Sequence, residues 1–329
     1  MTDPSRRDMI AAGAAGAVLA AAPAAAQQEA LWSAEYWAEK GPVKLFLYRK
    51  RVGAPKPGEA PRPVLFLVHG SSNSAVSSFD LTVPGKGEYS MMNVFARWGW
   101  DVWTMDHEGY GRSSRTESNS DIASGAADLA AAWQIVQFET GEARMHMLGE
   151  SSGALRAAVF AARQPENVGR LILSAFTYTG KDSPTLIQRA KNLDYFRTHN
   201  RRPRGRDMIR SIFTRDDPGT SDMAVAEALA DAELKFGEDI PTGTYLDMTA
   251  NLPVVQPEQV KSPVLLIRGA HDGIATVEDL WEFYRRLPND DKQFVSLSHA
   301  AHALIFGLNR AQFWHCCQAF LTMPAPVAA

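Results

Sequence analysis

The sequence predicts an α/β chain: a mostly parallel sheet flanked by helices on both faces, with an inserted helical lid. Three observations lead there. Short unbroken apolar runs such as Val64-Leu65-Phe66-Leu67-Val68 and Val264-Leu265-Leu266-Ile267 have the length and composition of strands buried on both faces. Helical patterns separate the strands at the spacing that right-handed crossovers need. Between about Tyr178 and Val260 the alternation stops, leaving helical patterns without a convincing buried strand.

The elements follow in order. Val43 to Arg51 alternates loosely, as an edge strand does, and Pro55, Pro57, Pro61 and Pro63 mark a surface connection. After the run at Val64–Val68 and a serine-rich loop come a helix over Tyr89 to Trp98, a strand over Asp101 to Met105 and a strong helix over Asp121 to Glu139. The strand Met145 to Leu148, a helix over Ala154 to Arg163 and the strand Leu171 to Leu173 precede the break. Beyond it lie the Val264–Ile267 strand, a helix near Val277 to Leu287, a strand over Gln293 to Leu297 and a closing helix over Ala303 to Leu321. The expected division is a core over residues 27–177 and 261–329 with a lid over 178–260.

Residues 1–26 read as an address. Arg6-Arg7 stand directly before a weakly apolar, uncharged Ala/Gly-rich run to Ala22, followed by Ala24-Ala25-Ala26 before Gln27, the layout of a twin-arginine signal peptide. The run is shorter than the roughly 20 residues of a membrane-spanning helix. Cleavage after Ala26 and a periplasmic or secreted mature protein are the expectation. Cys316 and Cys317 are adjacent and are the only cysteines, so no disulfide framework is expected. A net charge of −3 gives no basic excess for nucleic acid. The eight histidines form no His-Glu-x-x-His cluster, and no glycine loop with lysine cradles phosphate. Cofactor-free chemistry on a small molecule is therefore expected, with the oligomeric state left open.

The chemistry centres on Gly149-Glu150-Ser151-Ser152-Gly153, a G-x-S-x-G segment between an apolar strand and a helix. That context marks Ser151 as a nucleophile on a tight strand-to-helix turn, with small flanking residues that let the backbone pass closely. A serine hydroxyl needs a base, and the base an orienting carboxylate. Asp272, in Arg268-Gly269-Ala270-His271-Asp272-Gly273, follows a strand. His299 and His302, in Ser298-His299-Ala300-Ala301-His302-Ala303, follow the last one.

On these residues the stretch from Val43 to Leu321 resembles the α/β-hydrolase superfamily, lid included. The resemblance implies an eight-stranded, mostly parallel sheet, Asp272 as the acid and His302, ahead of its rival His299, as the base. Some members carry the acid after the strand that follows the elbow helix, but Ser174-Ala175-Phe176-Thr177 offers none. The family pattern also implies an oxyanion hole from the amide of Ser152 and one from His69-Gly70-Ser71-Ser72, with Ser71 preferred to Ser72. His69 is expected to hold that loop, and His271 to shape the Asp272 loop. Serine at the elbow argues against the haloalkane and epoxide branches. The expected activity is hydrolysis of a carboxylic ester or lactone through an acyl-enzyme. Amide, peptide, thioester or C–C cleavage with the same residues is the alternative, and a non-catalytic binding protein on the same fold is the alternative of another class.

Three further features stand out. Glu108, in the turn Asp106-His107-Glu108-Gly109-Tyr110-Gly111, occupies a position where the family commonly has arginine, and is expected to pack in a tight turn or to sit at the pocket mouth. Arg197, Arg201, Arg202, Arg204 and Arg206 crowd one stretch with His199, as a solvated loop or as a gate for anionic substrates. Phe176, Tyr178, Tyr195, Phe196 and Tyr245 line an apolar pocket or pack the lid.

Overall fold

The computed structural model describes residues 30–326; the leader expected over 1–26 lies outside them. Among the described residues ten strands and eleven α-helices follow one another, eight of the strands forming one sheet. β1 (Leu31–Lys40) and β2 (Val43–Val52) make a hairpin in unbroken register from Leu31 opposite Val52 to Lys40 opposite Val43. β2 pairs antiparallel with β4 (Asp101–Met105). From there every pairing is parallel, through β3 (Val64–Val68), β5 (Met145–Glu150), β6 (Val168–Ser174), β9 (Val264–Gly269) and β10 (Lys292–Leu297).

β3, β4 and β9 are buried along their whole length, as unbroken apolar runs require when helices cover both faces. One apolar layer joins α3 (Ile122–Thr140), α4 (Ser152–Arg163) and α10 (Val277–Arg286) to the sheet. The other joins α1 (Ala75–Phe79), α2 (Met91–Arg97) and α11 (Arg310–Leu321).

Three expectations are corrected. The edge strand is β1, and the 43–51 segment is the strand inside it; β1 is half exposed, so its mixed sequence gives a weak signal. The five-residue α1 is too short to show a period. The closing helix begins at Arg310, because Leu304–Phe306 forms a separate 3-10 turn ending at Gly307.

Between β6 and β9 the chain leaves the sheet for α5 (Pro184–Ala190), α6 (Leu193–Thr198), α7 (Arg206–Thr214), α8 (Met223–Glu233) and α9 (Gly243–Leu246). Two three-residue strands, β7 (Arg201–Pro203) and β8 (Asp239–Pro241), pair antiparallel within it. Two buried carboxylates tie this insertion down. Asp279 on α10 accepts hydrogen bonds from the amides of Tyr178, Thr179 and Gly180 where the chain departs. Glu233, at the end of α8, accepts from the Ser74 amide and hydroxyl at 2.7 Å each, and pairs with Arg204.

Candidate active site

Ser151 sits between the last residue of β5 and the first of α4, at φ 57° and ψ −122°, a conformation that costs a non-glycine residue about 1–3 kcal/mol. The neighbours enforce it. A Cβ on Gly149 would lie 2.5 Å from the Ala154 Cα, and one on Gly153 2.2 Å from the Val68 carbonyl oxygen. The Ser151 amide is held by the Ser174 carbonyl at 2.9 Å. The turn therefore presents the Ser151 hydroxyl above the carboxyl edge of the sheet.

Asp272 and His302 arrive from the loops after β9 and β10. His302 Nε2 lies 3.0 Å from Ser151 Oγ, and His302 Nδ1 lies 2.9 and 3.1 Å from the two Asp272 carboxylate oxygens. With Nδ1–H donating to the carboxylate, Nε2 is left to accept the serine proton. Burial alone would raise the Asp272 pKa, but His302 and the amides of Ile274 and Ala275, at 2.8 and 3.1 Å from Oδ1, outweigh it and lower the group to about 2. Gly269 lets the two loops close, since a Cβ there would sit 2.4 Å from the Ala300 and Ala301 oxygens. His299 is exposed, at φ 51°, and its carbonyl takes a hydrogen bond from Asn309; the structure brings His302, not His299, to Ser151.

Ser71 and Ser152 also meet at the site, their hydroxyls 2.7 Å apart. Neither amide has a protein acceptor among the described residues, so both are open to an oxyanion. Tyr110 donates to the Ser71 carbonyl at 3.0 Å, and His69 accepts from the His107 amide at 3.1 Å, fixing the loop. Ser72 instead joins the insertion, 2.8 Å from the Tyr245 hydroxyl. His271 is half exposed, and its amide bonds the Ala300 carbonyl. The Asp272 loop is also held by Arg268, a residue that no motif marks, whose Nε donates to the Ala275 carbonyl at 2.6 Å.

A cleft opens over Ser151 and His302, with apolar walls from Phe79, Ile212, Ile305 and Phe306. Arg189 and Arg215 also line it, and both line an adjoining cavity of about 440 Å³ walled by Tyr195, Phe196, Arg202 and Tyr245. Neither Arg189 nor Arg215 belongs to the arginine run. Glu108 is buried, with Lys40 at 2.8 Å, and lines neither space. Phe176 and Tyr178 pack on Phe283 in the core, whereas Tyr195, Phe196 and Tyr245 line the cavity.

The family model described as "Serine aminopeptidase, S33" matches residues 59–309. A 2-hydroxy-6-oxononadienedioate/2-hydroxy-6-oxononatrienedioate hydrolase of Paraburkholderia phymatum is 30% identical over 121 residues, 35% of this chain and 36% of that protein. Its counterpart from Burkholderia vietnamiensis is 29% identical over 116 residues, 33% and 34% of the two chains. The match thus spans about a third of these relatives. Among solved structures, a serine hydrolase involved in carbazole degradation has a TM-score of 0.63 at 16% identity, covering 89% of this chain and all of that one. The enol-lactonase of Burkholderia xenovorans LB400 gives 0.62 at 17%, over 87% and 100%. E-2-(acetamidomethylene)succinate hydrolase gives 0.64 at 16%, over 88% and 99%. At such identities the likeness is one of fold.

Proposed function

The chain belongs to the serine aminopeptidase S33 family of α/β-hydrolases, and on that premise we propose that it cleaves a carboxylic ester or lactone through an acyl-enzyme on Ser151. One observation carries the reading: the hydrogen-bonded chain Ser151–His302–Asp272, with Asp272 and His302 buried and Ser151 lining the cleft. His302 Nε2 takes the hydroxyl proton as Ser151 Oγ attacks the carbonyl carbon, and the amides of Ser71 and Ser152 receive the oxyanion. Asp272 stabilises the imidazolium. As the tetrahedral intermediate collapses, His302 returns the proton to the departing oxygen. Water, deprotonated by the same nitrogen, then releases the acyl group. The insertion acts as a lid that sets which substrates reach the cleft.

Cleavage of a C–C bond beside a ketone is the second reading, favoured by the stretch shared with the two oxo-dioate hydrolases. It uses the same oxyanion hole.

Ser151→Ala should lower kcat on short-chain 4-nitrophenyl esters by at least about a thousandfold and abolish fluorophosphonate labelling, with the thermal midpoint of the wild type retained. Turnover that survives this change removes Ser151 from the reaction. A panel of esters, lactones and vinylogous diketones separates the two readings.

A further inference from the structure

We infer that the adjoining cavity is a subsite for a free carboxylate borne by the substrate, held by Arg189, Arg202 and Arg215; this rests on Ser151 being the group that attacks. Position is the first argument. Arg189 on α5 and Arg215 just after α7 stand in the wall common to the reaction cleft and the cavity, and Arg202 on β7 faces the same cavity. A group bound there contacts side chains that also line the space over Ser151.

These three side chains lack the strong carboxylate pairing of the arginines around them. Their neighbours in the run have carboxylate partners: Arg201 has Asp239 at 2.8 Å, Arg204 has Glu233, and Arg206 has Glu227 and Asp231 at 2.9 and 2.6 Å. Among the described residues the Arg202 guanidinium has no carboxylate partner and lies over the Tyr245 ring, 4.6 Å from its carbon to the ring centre. Arg189 has that same ring at 4.8 Å and the Met248 sulfur at 3.8 Å. Arg215 has Asp216, with Nε 3.5 Å from the carboxylate, too far for a good hydrogen bond. No Asp or Glu lines the cavity. Burial, together with Arg215 and Arg202, pulls the Arg189 pKa down to about 10 against the opposing effect of Tyr245 and Asp216. The cluster is short of negative charge, and an arriving anion supplies it.

The third argument is fit. Guanidinium groups held against an aromatic ring keep their planar forks oriented, and a carboxylate accepts such a fork in bidentate fashion. Gln188 and Asn192 add amide donors on the same wall. The apolar inner cleft takes the other side of the scissile bond. The substrate class is therefore an ester or lactone with one apolar side and a carboxylate on the other.

The test compares matched pairs: 4-nitrophenyl hexanoate with mono-4-nitrophenyl adipate, and phenyl hexanoate with 4-carboxyphenyl hexanoate. In one pair at least, kcat/KM should favour the carboxylate at least tenfold, and the Arg202→Gln/Arg215→Gln double variant should bring that ratio to near one. No preference in either pair, or a ratio unmoved by the double variant, overturns the subsite. Titration calorimetry of adipate into Ser151→Ala protein decides the same point without turnover, so that failure of the nucleophile assignment and failure of the subsite are told apart. Adipate binding at least tenfold weaker once both arginines are also changed supports the subsite; equal binding overturns it. Inorganic phosphate that displaces adipate at lower concentration than adipate itself binds overturns the carboxylate assignment.

Discussion

Glu150 lies beside Ser151, is buried, and lines the cleft. Ser174 donates its hydroxyl to Oε2 at 2.5 Å, yet burial dominates and raises the pKa from 4.5 to about 7, with His302 opposing. Between those two values the folded protein holds a proton that the unfolded chain releases, so stability falls as pH rises from about 4.5 to 7. The whole effect is on the order of 3 kcal/mol. Glu150→Gln removes the titration and keeps an acceptor for Ser174; the fall in thermal midpoint from pH 5 to pH 8 should be smaller in the variant. Identical pH profiles would show that Glu150 does not titrate in that window. The motif marks position 150 as free to vary, and nothing in it announces a buried carboxylate.

Among the elements, the insertion shows most clearly how far patterning reaches. Its helical character shows in the sequence as a break in the strand and helix alternation, whereas the three-residue strands β7 and β8 inside it are too short to leave a pattern. The fate of its arginines was not legible either: spacing along the chain says nothing of which carboxylates fold back to meet them. Arg204, one of five in a run that reads as wet surface, is buried against Glu233. Glu233→Ala leaves that guanidinium unpaired and should cost about 3–5 kcal/mol, read as a lower urea midpoint and as proteolytic cleavage near residues 200–240. Glu233→Gln, which keeps acceptors for Ser74 and Ser77, should lose less. Equal stability in the alanine variant would mean the pair does not anchor the insertion.

Over the whole molecule, a net charge of −3 hides a local excess of cations at the cavity. No helix among the described residues is long and apolar enough to cross a membrane. We propose that the leader at residues 1–26 directs folded export. Replacing Arg6 and Arg7 by lysine should retain the protein in the cytoplasm, and the exported wild type should begin at Gln27; export that survives the double change rules out the twin-arginine route.

By itself the sequence determined the parallel sheet, through its short apolar runs, and the elbow, through glycines that no other residue replaces where backbones come within 2.5 Å of a Cβ. Such features depend on neighbours in the chain, and local chemistry writes them plainly. Only the tertiary structure decided between His299 and His302, separated by three residues and by the turn that faces one outward. It alone brought Arg189 and Arg215, from outside the arginine run, to the same cavity as Arg202. Distances between side chains far apart in sequence follow from how the insertion packs on the sheet, and no periodicity encodes that.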